Sequence, residues 1–317
     1  MIALPDGRPI WGGTYFPKKR WMQVLTQIST LAKEKPDELI QYADNLEKGL
    51  ANFEVSEPSK DALNIEDIVS GLDQLVSKKD PKNGGLIGAP KFMMPSLLRF
   101  FQQGGILCSN NEALEHFNFS LEQMAQGGIF DAVHGGFSRY AVDAEWHIPH
   151  FEKMGYDNGQ LISLYAQAFR KKPLALYRET VEKTISFLTT ELSSPEGGFY
   201  AALDADSLTQ NDKLVEGTFY VWTLKEIEQL FPDEYPLVAA FYSINDDGYW
   251  EDGNYVLRRM QTDEAFAKLN DLELSDLKAK VIRWNKVLVK ERNKRARPQL
   301  DDKIICSWNA ILSSGLL

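Results

Sequence analysis

The stretch GGFSRYAVDAEWHIPHFEKMGYDNG, Gly135 to Gly159, lies between two amphipathic stripes. Leu114, Phe117, Leu121 and Met124 precede it, and Leu161, Leu164, Tyr165 and Ala168 follow. Apolar residues three or four apart mark one face of a helix, so the region reads as helix, long polar and aromatic loop, helix. The pattern extends outward in both directions. Towards the N-terminus lie Trp21, Val24, Leu25, Ile28 and Leu31, then Leu39, Tyr42, Leu46, Leu50 and Phe53, then Ile65, Ile68, Leu72, Leu75 and Val76. Towards the C-terminus lie Tyr177, Val181, Ile185, Leu188 and Leu192, and later Leu274, Leu277, Val281, Trp284 and Leu288. Each stripe reads as a face packed into a core.

Gly-Gly pairs punctuate these stripes at Gly84-Gly85, Gly127-Gly128, Gly135-Gly136 and Gly197-Gly198. Glycine suits a sharp turn that needs φ > 0. Helices joined this way read as repeated αα-hairpins in a mainly α fold. Strand signals are sparse. Phe199–Leu203 and Thr218–Trp222 flank a polar loop, and Tyr249-Trp250 and Tyr255–Leu257 flank the turn Glu251-Asp252-Gly253-Asn254. Both read as short β-hairpins set between helices. FEVSEPSKD, Phe53 to Asp61, is the linker candidate.

Composition bounds the function. The 317 residues carry 35 Lys+Arg against 45 Asp+Glu, a net charge of −10. Nucleic acid and anionic membrane surfaces are therefore not expected partners, since both need a positive surface. The basic run Lys290 to Arg297 reads as a solvated helix end. No run approaches the ~18 apolar residues of a membrane span, and no signal-peptide pattern opens the chain. Two cysteines, Cys108 and Cys306, are too few for a disulfide framework, and a reduced, cytoplasmic setting fits. P-loop, GxGxxG and GxSxG motifs are absent. His147, His150 and Glu152 lack the spacing of a metal motif, so neither metal nor cofactor is expected.

Three polar segments could carry chemistry. The 135–159 loop holds Arg139, Tyr140, Trp146, His150, Glu152 and Asp157. Its aromatic rings offer flat faces to a sugar, and its carboxylates and imidazole can move protons near neutral pH. The second segment is Leu203-Asp204-Ala205-Asp206-Ser207 with Val215-Glu216-Gly217. In extended chain Asp204 and Asp206 would face one way, and paired carboxylates suit acid/base work at a sugar carbon. The third is Leu300-Asp301-Asp302-Lys303, with one Asp a natural helix N-cap, followed by Trp308-Asn309 about two turns inside that helix. For each segment, structural ion pairs and turn-capping aspartates stand as the alternative.

GGTYFP (12–17), GGFSRYAVDAEWHIPHFEKMGYDNGQL (135–161), GGFYAALDADS (197–207), EGTFYVWT (216–223) and RPQLDDKIICSWNAIL (297–312) together resemble the YyaL, or spermatogenesis-associated protein 20-like, family. That resemblance implies a thioredoxin-like domain joined to an (α/α)6, six-hairpin glycosidase-like barrel. It implies a remnant of the thioredoxin-like domain over 1–35, a connecting helix and linker over 36–60, and a partial barrel over 61–317. The resulting toroid of helical hairpins would be incomplete, and its open edges would favour homo-oligomers. The implied site is a funnel where the long loops meet. Asp204, Asp206 and Glu152 would supply the acid and base, with His150 assisting. Arg139, Tyr140, Trp146, Asp157, Trp250, Asp301, Asp302 and Trp308 would bind the substrate, a small molecule of carbohydrate type. The reaction would be that of a glycoside hydrolase or a sugar epimerase. The alternative is a non-enzymatic ligand-binding or thioredoxin-linked redox partner module. The chain departs from the family pattern at His134, Gly155, Gly159 and Ala310.

Overall fold

Every stripe named above is helical in the computed structural model, which describes residues 1–13, 16–54, 64–209 and 211–317. The helices are α1 (Lys18–Glu34), α2 (Pro36–Glu54), α3 (Ile65–Val76), α4 (Pro95–Leu107), α5 (Asn111–Gln126), α6 (Gly155–Lys171), α7 (Ala175–Phe187), α8 (Leu224–Leu230), α9 (Tyr235–Phe241), α10 (Asp263–Leu269), α11 (Leu274–Arg292) and α12 (Cys306–Leu316). A π-helical turn, Leu188–Leu192, extends α7. Residues Met1–Asn64 and Ile65–Leu317 form two compact units.

In the first unit, strands β1 (Ile2–Ala3) and β2 (Pro9–Trp11) pair antiparallel. Ile10, Leu39 and Ala43 are its buried core, with Ile28 and Leu31 packed beside them. Helix α2 packs on β2 and α1. Thr14 and Tyr15 of GGTYFP, and the linker candidate beyond Glu54, lie outside the described residues.

The second unit is a series of helical hairpins with short β-hairpins in the loops, the (α/α) pattern expected. Helix α4 packs on α3 and α5, α6 on α7 and α12, and α10 on α11. One apolar core spans α3 to α7 through Leu98, Phe117, Leu121, Leu161 and Tyr165. A second joins α8 to α11 through Trp222, Val238, Phe241 and Trp284.

The repeat suggested by the Gly-Gly pairs has a chemical basis. In the loops 80–85 and 131–136, Asp80 and Asp131 each accept the backbone N–H groups two and three positions on. Each loop closes when the aspartate N–H donates to the second glycine's carbonyl, Gly85 or Gly136. Each aspartate also holds a buried lysine, Lys91 or Lys153, that opens the strand before the next helix. The glycines of these two loops take positive φ, as expected, whereas Gly127 and Gly128 do not. At Gly127 the requirement is close approach: a Cβ there would lie 2.7 Å from the Trp146 carbonyl oxygen.

A second device recurs. The Asn158 side chain accepts from Phe137 N and donates to Phe137 O, and Asn309 does the same for Phe199. Each asparagine thereby clamps the loop that follows a Gly-Gly pair onto the first turn of a helix. Asn309 is in the first turn of α12, not two turns inside it, and the N-cap is Ile305 rather than an aspartate.

Strands are shorter and pair differently from the expectation. They are β3 (Lys91–Phe92), β4 (Tyr140–Ala141), β5 (Pro149–His150), β6 (Lys153–Met154), β7 (Ala202–Leu203), β8 (Asp206–Leu208), β9 (Leu214–Glu216), β10 (Trp222–Thr223), β11 (Asn254–Tyr255) and β12 (Leu300–Asp301). The 199–203 and 218–222 segments do not form a hairpin together. Instead β7 sits between β6 and β12, β10 pairs with β11, and β8 with β9. The turn Glu251–Asn254 is as read: Asp252 and Gly253 both take positive φ, and Trp250 N donates to Asn254 O. The basic run 290–297 is not merely solvated. Arg292 is buried on Asp131, and Arg295 donates to the carbonyls of Phe219 and Val221 and lies over the Trp222 ring. Those carbonyls and the Asp131 carboxylate are tertiary partners that helical periodicity does not reveal.

Candidate functional site

The ladder β6–β7–β12 builds the site. Lys153 and Met154 face Leu203 and Ala202 on one side, and Leu300 and Asp301 face the same two residues on the other. Asp204 N donates to Gln299 O at 2.8 Å, extending the ladder by a residue. Side chains alternate along a strand. Glu152 and Met154 therefore look into a cleft of about 440 Å³, which Ala202, Asp204, Gln299, Asp301, Asp302 and Lys303 also line. Lys153 points the opposite way and is buried.

Each acid of the cleft has a different environment. Arg139 Nη1 donates to Glu152 Oε2 at 3.0 Å, and the two backbones are tied by Arg139 N to Glu152 O. Asp301 accepts from Lys303 Nζ at 2.6 Å, and that bond keeps its carboxyl below the ordinary carboxylate range. Asp204 is exposed, and its Oδ1 accepts from the backbone N–H groups of Ala205 and Asp206. Asp157, in the first turn of α6, is buried. Burial pushes its carboxyl up to about 7, with Arg139 pulling against that rise and Glu152 adding to it. His150 Nδ1 lies 2.7 Å from Glu216 Oε1, and its Nε2 is 4.0 Å from Glu152 Oε2. The Tyr140 ring stacks on the imidazole at 4.9 Å. Behind the cleft wall, Tyr156 and Trp308 meet edge to face at 4.7 Å beside Met154 and Ala202.

The structure thus brings Glu152, Asp204, Asp301 and Asp302 into one cleft, with Arg139, His150, Tyr140, Asp157 and Trp308 around it. Three expected residues are elsewhere. Trp146 is 1% exposed in the core. Its Nε1–H donates to Asn83 O and Lys91 lies over its ring, so it has no free face for a sugar. Asp206 does not share the side of Asp204, because the chain bends at Ala205 and places Asp206 opposite Glu216 in the β8–β9 hairpin. Trp250 packs on Phe151 and lines a separate cleft of about 660 Å³ with Glu216, Glu251 and Arg295. Glu216 and Gln299 carried no site role in the sequence reading. Glu216 reaches His150 only by pairing across 66 positions, and Gln299 enters through its backbone. Among the described residues no three His, Cys, Asp or Glu side chains are grouped closely enough to hold a metal ion. Nor is any helix among them long and apolar enough to cross a membrane.

No family model matches the chain. It is 30% identical to human spermatogenesis-associated protein 20, over 98% of this chain and 44% of that protein. The chain is a homologue of spermatogenesis-associated protein 20. It is also 33% identical to an uncharacterized protein of Caenorhabditis elegans, over 100% of this chain and 47% of that one. The chain spans about half the length of these relatives. Among solved structures, cellobiose 2-epimerase from Spirochaeta thermophila aligns over 78% of this chain and 77% of its own, with a TM-score of 0.39 and 14% identity.

Proposed function

We propose that the acid cleft binds a small carbohydrate and performs acid/base chemistry on it. One observation carries the reading: Glu152 just before β6, Asp204 just after β7 and Asp301 in β12, far apart in sequence, open onto one cleft. Carboxylates on one wall can divide the work, one protonating a leaving or ring oxygen while another activates water or the sugar itself. Asp204, an exposed carboxylate of the cleft, takes a base role. Glu152, paired with Arg139, and Asp157, raised towards neutral pH, frame the acid side. Arg139 and the paired Asp301 and Lys303 offer charged partners to hydroxyl groups.

The test is a panel of mono- and disaccharides, assayed for binding and turnover with the wild-type chain and Asp204→Asn. General acid–base groups contribute about 10²–10⁴-fold, and a loss of that order is expected while the unfolding midpoint stays in place. A panel with no bound or converted sugar, or an Asp204→Asn variant that turns over at the wild-type rate, rules the reading out.

A further inference from the structure

His150 and Glu216 meet although they lie 66 positions apart, with Nδ1 2.7 Å from Oε1. A carboxylate oxygen only accepts, so the ring proton of that bond sits on Nδ1. The lone pair of the neutral ring is then on Nε2. That atom is 4.0 Å from Glu152 Oε2, beyond hydrogen-bond range but beside a carboxylate of the acid cleft.

Both partners are held in place. His150 pairs with Tyr140 in the β4–β5 ladder, and the Tyr140 ring covers the imidazole at 22° between planes. Glu216 ends β9 opposite Asp206. The next residue, Gly217, takes a positive φ against Phe151, and its N–H donates to Ala205 O at 3.1 Å. A Cβ at Gly217 would meet the Phe151 ring at 2.5 Å, so the Glu216 backbone cannot shift freely.

We propose that Glu216 is a positioning residue that holds His150 as the Nδ1–H tautomer, leaving Nε2 as a proton acceptor beside Glu152. Its use in catalysis rests on the carbohydrate reading above; the tautomer does not. In use, Nε2 takes the proton of a substrate hydroxyl and the O–H electron pair stays on that oxygen. The imidazolium formed lies between Glu216 and Glu152, and gives the proton back when the oxygen is released.

Long-range proton–nitrogen spectra of the nitrogen-15-labelled chain, taken above the histidine titration range, distinguish the two neutral tautomers. Loss of one signal set in His150→Gln assigns it. The expected pattern is Nδ1–H in wild type, switching to Nε2–H in Glu216→Ala and in Glu216→Met, which keeps the side-chain length. Wild type in the Nε2–H form overturns the proposal whether or not either variant folds. So does a folded variant that keeps Nδ1–H. Sugar turnover read on the same proteins separates the two claims: an Nδ1–H wild type that converts no sugar keeps the Glu216 assignment and loses the carbohydrate reading.

Discussion

Asp157 is the carboxylate that the fold moves furthest towards neutral pH. Its pKa rises from 3.8 to about 7 because burial penalises the charge more than Arg139 can offset. The native state therefore holds a proton that the unfolded chain has already released between those two values. Stability falls as pH rises through that window, is unpenalised below it, and carries the full penalty above it. Asp157→Asn removes the penalty, so its advantage over wild type should grow from nothing near the lower value to at most about 4 kcal/mol above the upper one. Urea midpoints measured across the window check this, and a gap that does not change with pH contradicts it. Glu152 and Asp204 could be picked out in the sequence because acids in aromatic, glycine-bounded loops are candidates wherever they occur, and Asp301 through the Asp-Asp pair before an apolar stripe. Trp146 could not be placed, since a ring in a polar run reads the same whether it faces ligand or core. Asp206 was misplaced by assuming extended chain through Ala205, where the backbone bends.

Helices α6 and α12 approach backbone to backbone at Gly159 and Gly315. A Cβ added at Gly159 would lie 2.8 Å from Leu312 Cα, and one at Gly315 would lie 2.0 Å from Gly159 O. Glycine at 159 thus has a local cause: α12 packs against its backbone. Gly159→Ala gains helix propensity of at most about 1 kcal/mol. Overpacking against backbone costs about 1–3 kcal/mol, so with that gain set against it a net destabilisation of up to about 2 kcal/mol is expected in urea unfolding. A more stable variant would show that the helices can part freely. The long helices were legible because periodic burial writes itself into the sequence. Helix α4 was not, because its stripe is interrupted by Gly104 and Gly105, which make room for Leu72 and Leu114. The strands are mostly two residues long, too short for any alternation to register, and their partners come from distant loops.

In the second unit large apolar side chains stay exposed on several helices, among them Ile106, Leu107, Ile282 and Ile311. Such surface favours association. Light scattering on the 36.0 kDa chain is expected to give a mass above the monomer, and Ile282→Glu with Ile311→Glu is expected to lower it. A wild-type monomer at all concentrations contradicts that. Beneath this surface, Asp131 holds both Lys153 and Arg292, bonding Arg292 across 161 positions. Burial opposes the Asp131 charge, yet Arg292 and Lys153 outweigh it and keep the carboxyl far below its ordinary range. Lys153 is also the immediate neighbour of Glu152, on the opposite face of β6. Were β6 to slip by one residue against β7, every side chain would change face. The acid would enter the dry pocket beside Asp131, and the ammonium would leave Asp131 for the open wall. Two buried carboxylates with Arg292 alone to offset them cost several kcal/mol. The buried triad therefore checks the threading of that strand: only the frame that points Glu152 outward keeps the Lys153 ammonium on Asp131.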